Sequence, residues 1–180
     1  DLRLSIDAEL QRATVAAFGE LEGTAVAMDP RTGEILALVS LPSFDPNLFV
    51  NGISHADFRA LNDNPSRPQF NRAVLGGVAP GSTLKPFLAL AGLDSGVRRP
   101  EDRTLSTGMF HLPGTRRGWG DSHRGGHGWT DARKSIADSV NTYYYKLAVD
   151  MGIARIDEYL GRYGFGQASG IDLAGENPGI

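Results

Sequence analysis

Cysteine is absent from the 180 residues. That removes disulfides, thiolate catalysis and cysteine-based zinc sites together, and leaves the redox compartment open. Long apolar runs are missing too. The longest, residues 87–93, is far too short to span a bilayer, and the residues after Asp1 show no secretion-signal pattern. Charge of one sign is scarce: 18 Lys plus Arg against 21 Asp plus Glu leave a net charge of −3. The basic residues stand singly or in the pairs Arg98-Arg99 and Arg116-Arg117, so no cationic stripe is offered to phosphates and a nucleic-acid partner has no support. With 41% hydrophobic and 22% charged residues, the composition is that of one globular domain or part of one, and it excludes disorder and collagen-like repeats.

What is present is a mixture of helical and strand-like patterns. Leu2, Leu4 and Ile6 alternate as in a short strand, Asp7 stands where an N-cap would, and Leu10, Ala13, Ala17, Phe18 and Leu21 recur at helical spacing up to a stop near Gly19. Apolar runs at 24–28 and 34–40, joined by a turn containing Pro30 and Gly33, predict a hairpin buried on much of both faces. Residues 41–80 are irregular and proline-rich, with one short helix predicted from the Ser54-x-x-Asp57 cap. Residues 83–95 are apolar almost all round, which predicts a helix buried in the middle of a domain. Residues 98–130, rich in Gly, Pro, His and Arg, read as an extended surface excursion. Helices are predicted over 131–138, 142–151 and 153–163, the first two separated by Ser139-Val140-Asn141.

The chemistry-bearing stretch is Pro80-Gly81-Ser82-Thr83-Leu84-Lys85-Pro86. Ser82 and Lys85 stand nearly one helical turn apart, so hydroxyl and amine share a face at the start of the buried helix. A serine becomes a nucleophile at neutral pH only with a base, and lysine is a base only where burial or positive surroundings destabilise its ammonium. The backbone N–H groups of that helix start, Ser82's included, point where an oxyanion would develop. The ordinary reading is a serine cap and a solvated lysine. A phosphate loop is excluded because Ser82, not Lys, follows Gly81, and a nucleophile elbow because neither Ser82 nor Ser122 has the flanking glycines. A second element, Ser139 and Asn141, raises the reading to an S-x-x-K plus S-x-N acyl-transfer set, with Ser139 relaying a proton and Asn141 holding Lys85 or a substrate carbonyl.

With the runs Pro42-Ser43-Phe44-Asp45-Pro46-Asn47-Leu48-Phe49, Asn71-Arg72-Ala73 and Gly170-Ile171-Asp172-Leu173, these motifs make the whole chain resemble class B penicillin-binding proteins, specifically the penicillin-binding protein 2 branch that serves cell elongation. The resemblance implies an α+β transpeptidase fold, helices packed on an antiparallel sheet. It implies Ser82 as the acylated nucleophile, Lys85 as its base, and Ser139 and Asn141 as the second motif. The implied substrates are peptidoglycan stem peptides ending in D-Ala-D-Ala, with beta-lactams as mimics. The implied setting is the periplasmic face of the inner membrane, beside a membrane-embedded elongation glycosyltransferase, and no cofactor is implied. A serine beta-lactamase and a penicillin sensor or scaffold without turnover are the alternatives. By the same resemblance, Asp45 and the Phe44 to Phe49 loop shape the approach to the site. Tyr143, Tyr144 and Tyr145 read first as packing.

Two departures from the family pattern matter. The third motif, K-[ST]-G, is absent: Lys85, Lys134 and Lys146 are followed by Pro-Phe, Ser-Ile and Leu-Ala, and Arg31-Thr32-Gly33 imitates the motif only within a hairpin turn. Residues 1–180 are therefore expected to form a partial transpeptidase domain, with an unpaired hairpin edge and less cover over the central helix. Some relatives also hold a structural zinc with two Asp, one His and one Cys. Here Asp121 and His127 match, whereas Ser106 stands for the first Asp and Val140 for the Cys, so a tetrahedral site is not expected to close; His123 is the nearest substitute. These residues alone are expected to turn over stem peptides poorly or not at all, because a missing oxyanion donor alone typically costs roughly 10² to 10³ in rate. Transpeptidation at the full rate by the isolated chain contradicts that.

Overall fold

The computed structural model describes residues 3–179. They form two compact units, the first made of residues 3–77 and 171–177, the second of 78–170 and 178–179.

In the first unit, helix α1 (Ala8–Phe18) starts as the sequence predicts, because the Asp7 carboxylate accepts from the N–H groups of Glu9 and Leu10 at 2.9 and 3.0 Å. Strands β1 (Gly23–Met28) and β2 (Ile35–Leu41) pair antiparallel, Ala25 opposite Val39 and Ala27 opposite Ala37. Their connection is fastened by Asp29, whose carboxylate accepts from Arg31 N at 2.8 Å, and by Gly33 at φ +78°. Arg31-Thr32-Gly33 is thus turn chemistry. Helix α2 (His55–Asn62) carries the predicted cap, Ser54 Oγ accepting from Asp57 N at 3.0 Å.

Two expectations for this unit are corrected. Only one face of the hairpin is buried: Ala37 and Val39 are inside, whereas Val26 and Met28 are about half exposed, since side chains alternate across a strand. Residues 3–7 form no strand, and Leu2 lies outside the described residues. Instead the segment and the start of α1 run beside β2 with single contacts, Ser5 Oγ donating to Ile35 O at 2.7 Å and Asp7 N to Leu36 O at 2.9 Å. One turn into α1, the Gln11 amide completes the cover. Its Nε2 donates to Leu38 O at 2.9 Å and its Oε1 accepts from Leu38 N at 2.8 Å. The outer edge of β2, expected to be bare, is satisfied there by one side chain acting as a mimic of a neighbouring strand.

The second unit is built around α3 (Lys85–Asp94), preceded by a 3-10 turn at Gly81–Leu84, and α5 (Asn141–Met151). Its core joins Ala89 and Ala91 of α3 to Val140, Tyr143, Tyr144, Leu147 and Met151 at or near α5, with Ala132 of α4 (Ala132–Ala137) and Tyr159 of α6 (Ile153–Arg162). The two central helices approach closely at Gly92, where an added Cβ would lie 2.8 Å from a Leu147 methyl. The α3 helix is not apolar-buried all round: Leu90 is 52% exposed. Nor is 98–130 a mere excursion. It folds into two small antiparallel pairs, β3 (Thr104–Ser106) with β6 (Gly128–Thr130) and β4 (Met109–His111) with β5 (Gly118–Gly120). Ser106 and Thr130 are buried. Three-residue strands are too short to show a period of two, which is why the pattern is silent there. Helices with antiparallel sheets make the chain α+β, as expected.

Gln11→Ala leaves both polar groups of Leu38 unpaired at the sheet edge, and denaturant unfolding is expected to show a loss of about 1 to 3 kcal/mol. An unchanged midpoint and slope contradict the role given to Gln11.

Candidate functional site

Ser82 and Lys85 are brought together by the 3-10 turn. Three residues make one turn of such a helix, so positions three apart eclipse one another. Gly81 enters the turn at φ +56°, and Pro86, in the first turn of α3, forfeits no hydrogen bond there. Ser82 is exposed; Lys85 is 8% exposed.

The second motif is placed by the way α4 ends. Ser139 N donates to Ile136 O at 3.3 Å and Val140 N to Ser135 O at 3.0 Å, with Ser139 left-handed at φ +52°. This is the Schellman ending, with serine at the position glycine normally takes. A non-glycine residue there costs on the order of 1 to 3 kcal/mol. The turn aims both oxygens of Ser139 at one point: Lys85 Nζ donates to Ser139 O at 2.6 Å and to Ser139 Oγ at 2.9 Å. Its third proton goes to Asn141 Oδ1 at 2.6 Å. Ser139 Oγ in turn donates to Ser82 Oγ at 3.0 Å. Among the described residues no direct hydrogen bond joins Ser82 to Lys85. Ser139 stands between them, whereas the sequence reading had Lys85 acting on Ser82 itself. Below Lys85 lies the ring of Tyr144, 5.5 Å from Nζ, whose hydroxyl is 3.0 Å from Ser135 Oγ. Burial lowers the Lys85 pKa, and the Asp121 charge opposes part of that fall.

Asp121 occupies the far side of the second motif, and its side chain has no exposed surface. Oδ1 accepts from Asn141 N at 2.7 Å and Ser122 N at 2.9 Å; Oδ2 accepts from Thr142 N at 3.0 Å and Ser106 Oγ at 2.9 Å. Burial alone would raise its pKa. The Thr142 side chain and backbone, then the N–H groups of Ser122 and Asn141, outweigh that and hold the carboxyl well below the usual range. Asn141 Nδ2 donates to Gly120 O at 3.3 Å, so residues at the end of β5 brace both the backbone and the amide of Asn141.

The zinc set suggested by the resemblance does not fit. Among the described residues no group of three or more His, Cys, Asp or Glu is placed to hold a metal ion. His127 Nε2 lies 2.9 Å from Ser122 Oγ and 3.8 Å from Asp121 Oδ1, while His123 Nδ1 faces Gly126 O at 3.2 Å. Val140, where the Cys would be, is fully buried in the apolar core. Tyr143 and Tyr144 pack there too, and Tyr145 meets Phe110 with ring centroids 5.6 Å apart. Sequence reasoning missed the structural part played by Asp121 and Ser106. One signal was available: α5 has Val140 at its N-cap position, which offers no side-chain acceptor, so its N–H groups need one from elsewhere.

Comparison with known proteins gives the family and the fold. The family described as penicillin binding protein transpeptidase domain matches residues 23–180. The peptidoglycan D,D-transpeptidase MrdA of Acinetobacter baumannii is 46% identical over 180 residues, covering all of this chain and 27% of that protein. The chain thus spans about a quarter of the length of that relative. The crystal structure of Pseudomonas aeruginosa penicillin-binding protein 2 in complex with WCK 5153 is similar at a TM-score of 0.94 and 44% identity, covering 98% of this chain and 40% of that one. Penicillin-binding protein A of Mycobacterium tuberculosis, as an imipenem acyl-enzyme complex, is similar at a TM-score of 0.83 and 28% identity, covering 91% and 40%.

Lys85 Nζ, followed by NMR of ¹⁵N-lysine-labelled protein, is expected to lose its proton below the ordinary lysine value of about 10.4. Asp121→Asn removes the charge that props it up and moves the midpoint lower still. A midpoint at or above the ordinary value contradicts the burial argument.

Proposed function

The chain belongs to the penicillin-binding protein transpeptidase family, and from that premise we propose that it carries the acylation machinery of a peptidoglycan D,D-transpeptidase. The observation that carries the reading is the continuous hydrogen-bonded path from Ser82 through Ser139 to Lys85, with links of 3.0 and 2.9 Å.

Lys85 Nζ has three acceptors around it, which suits an ammonium. Burial makes loss of one proton easier, and the freed lone pair then faces Ser139 Oγ. Ser139 passes its proton to Lys85 and takes that of Ser82, while Ser82 Oγ forms a bond to the carbonyl carbon of the penultimate D-Ala of a stem peptide. The tetrahedral intermediate collapses with breakage of the C–N bond. The proton returns along the same path to the leaving nitrogen, and D-Ala departs. An acceptor amine then attacks the ester carbonyl and gives up a proton to the same path, the C–O bond to Ser82 breaks, and that proton is delivered to Ser82 Oγ. Asn141 holds Lys85 against Ser139 throughout. A beta-lactam enters the first half of the same sequence, and its ring opens in place of D-Ala loss.

The proposal extends to the whole protein: cross-linking at the periplasmic face of the inner membrane, beside a membrane-embedded elongation glycosyltransferase. Similarity to proteins named peptidoglycan D,D-transpeptidase supports the cross-linking. Among the described residues no helix is long and apolar enough to cross a membrane.

Intact mass after exposure to penicillin tests the reading. One adduct per chain is expected, absent in Ser82→Ala, with a labelling rate that rises with pH as Lys85 passes from ammonium to amine. No adduct, or an adduct that persists in Ser82→Ala, overturns it. Release of the adduct within seconds identifies a beta-lactamase instead.

A further inference from the structure

We propose that Asp121 is a positioning residue for acylation, supplying to α5 the N-terminal cap that Val140 cannot and thereby holding Ser139 and Asn141 against Lys85; this rests on the acyl-transfer reading above. The helix begins at Asn141 without a side-chain cap of its own. A helix start so close to a reaction centre cannot be left to fray, since its first N–H groups have no partner within the helix. Asp121, twenty residues earlier in sequence, meets the first two of them at 2.7 and 3.0 Å. A carboxylate at this end also opposes the positive pole of the helix.

The arrangement leaves the carboxylate nothing more to give. An ionised carboxylate offers about four acceptor positions, and Asn141 N, Thr142 N, Ser122 N and Ser106 Oγ fill them. The Thr142 hydroxyl adjoins the same group without reaching hydrogen-bond geometry. Ser106 is itself fixed, its Oγ accepting from His127 N at 3.0 Å, and Lys134 Nζ holds His127 O at 2.6 Å. Among the described residues no group is placed to hold a metal ion, and a lattice of hydrogen bonds does the bracing. The brace reaches the chemistry in one step: the residue whose N–H it binds, Asn141, is the residue whose amide oxygen binds Lys85 at 2.6 Å.

The test is acylation by a fluorescent penicillin in the protein that carries this chain, resolved into the noncovalent dissociation constant and the first-order acylation constant. Asp121→Asn, nearly isosteric, turns an amide NH₂ toward groups that are themselves donors. The acylation constant is expected to fall by about 10²-fold, while the dissociation constant stays within about threefold. Ser106→Ala keeps the charge and its three N–H contacts, and is expected to lower the acylation constant about fivefold. Acylation of the unsubstituted protein is expected to be unaffected by a chelator.

A native acylation constant in Asp121→Asn overturns the inference and leaves the acyl-transfer reading standing. So does a loss shared equally by binding and acylation, which marks general collapse, and so does a chelator-sensitive rate. Should Asp121→Asn fail to fold, Ser106→Ala decides, and a native acylation constant there overturns the inference. Absence of labelling in the unsubstituted protein removes the reading and the inference together.

Discussion

An amine surrounded by oxygen is the constraint on which the second unit turns. Lys85 is taken out of water to a degree rarely tolerated for lysine, and a buried cation is sustainable only when its donors are all matched. Ser139 supplies two of the matching acceptors and Asn141 the third. Burial makes the amine ready to lose a proton, and the same acceptors keep it from being expelled to solvent. Chemistry and stability therefore draw on one set of atoms.

The apolar core exists in part to keep that set in register. Gly92 lets α3 come against Leu147 of α5, and Ala89 and Ala91 keep the helix surface thin enough for the approach. One helix starts with Lys85 and the other with Asn141, so the spacing of the helices sets the spacing of these two groups, to which acylation is assigned by proposal. Burial of Leu147, worth about 1.5 to 3 kcal/mol, in this sense supports the Lys85–Asn141 contact without a polar atom.

Much of this was legible in the residues. Asp7 and Ser54 marked helix starts, the 3.6 period marked the helices, and the spacing of Ser82 and Lys85 marked a shared face. The spacing did not show that Ser139 would stand between the two, because the left-handed turn that places it belongs to the junction of α4 and α5. Nor did it reveal the brace on Asn141. Asp121 and Ser106 acquire their roles only when strands of three residues bring them beside a helix start, and such strands carry no periodicity to read. The covered edge of β2 was hidden for a similar reason: a glutamine on a helix face looks like any solvated side chain until its amide meets a strand.

The left-handed turn at Ser139 has a further consequence. Glycine would relax the backbone there, so this is a position where an unconstrained search for a sturdier chain would discard the hydroxyl. Serine there leaves the fold with a local deficit, and its hydroxyl is the middle link of the proposed proton route. Thermal robustness and the proposed chemistry thus pull in opposite directions at a single residue.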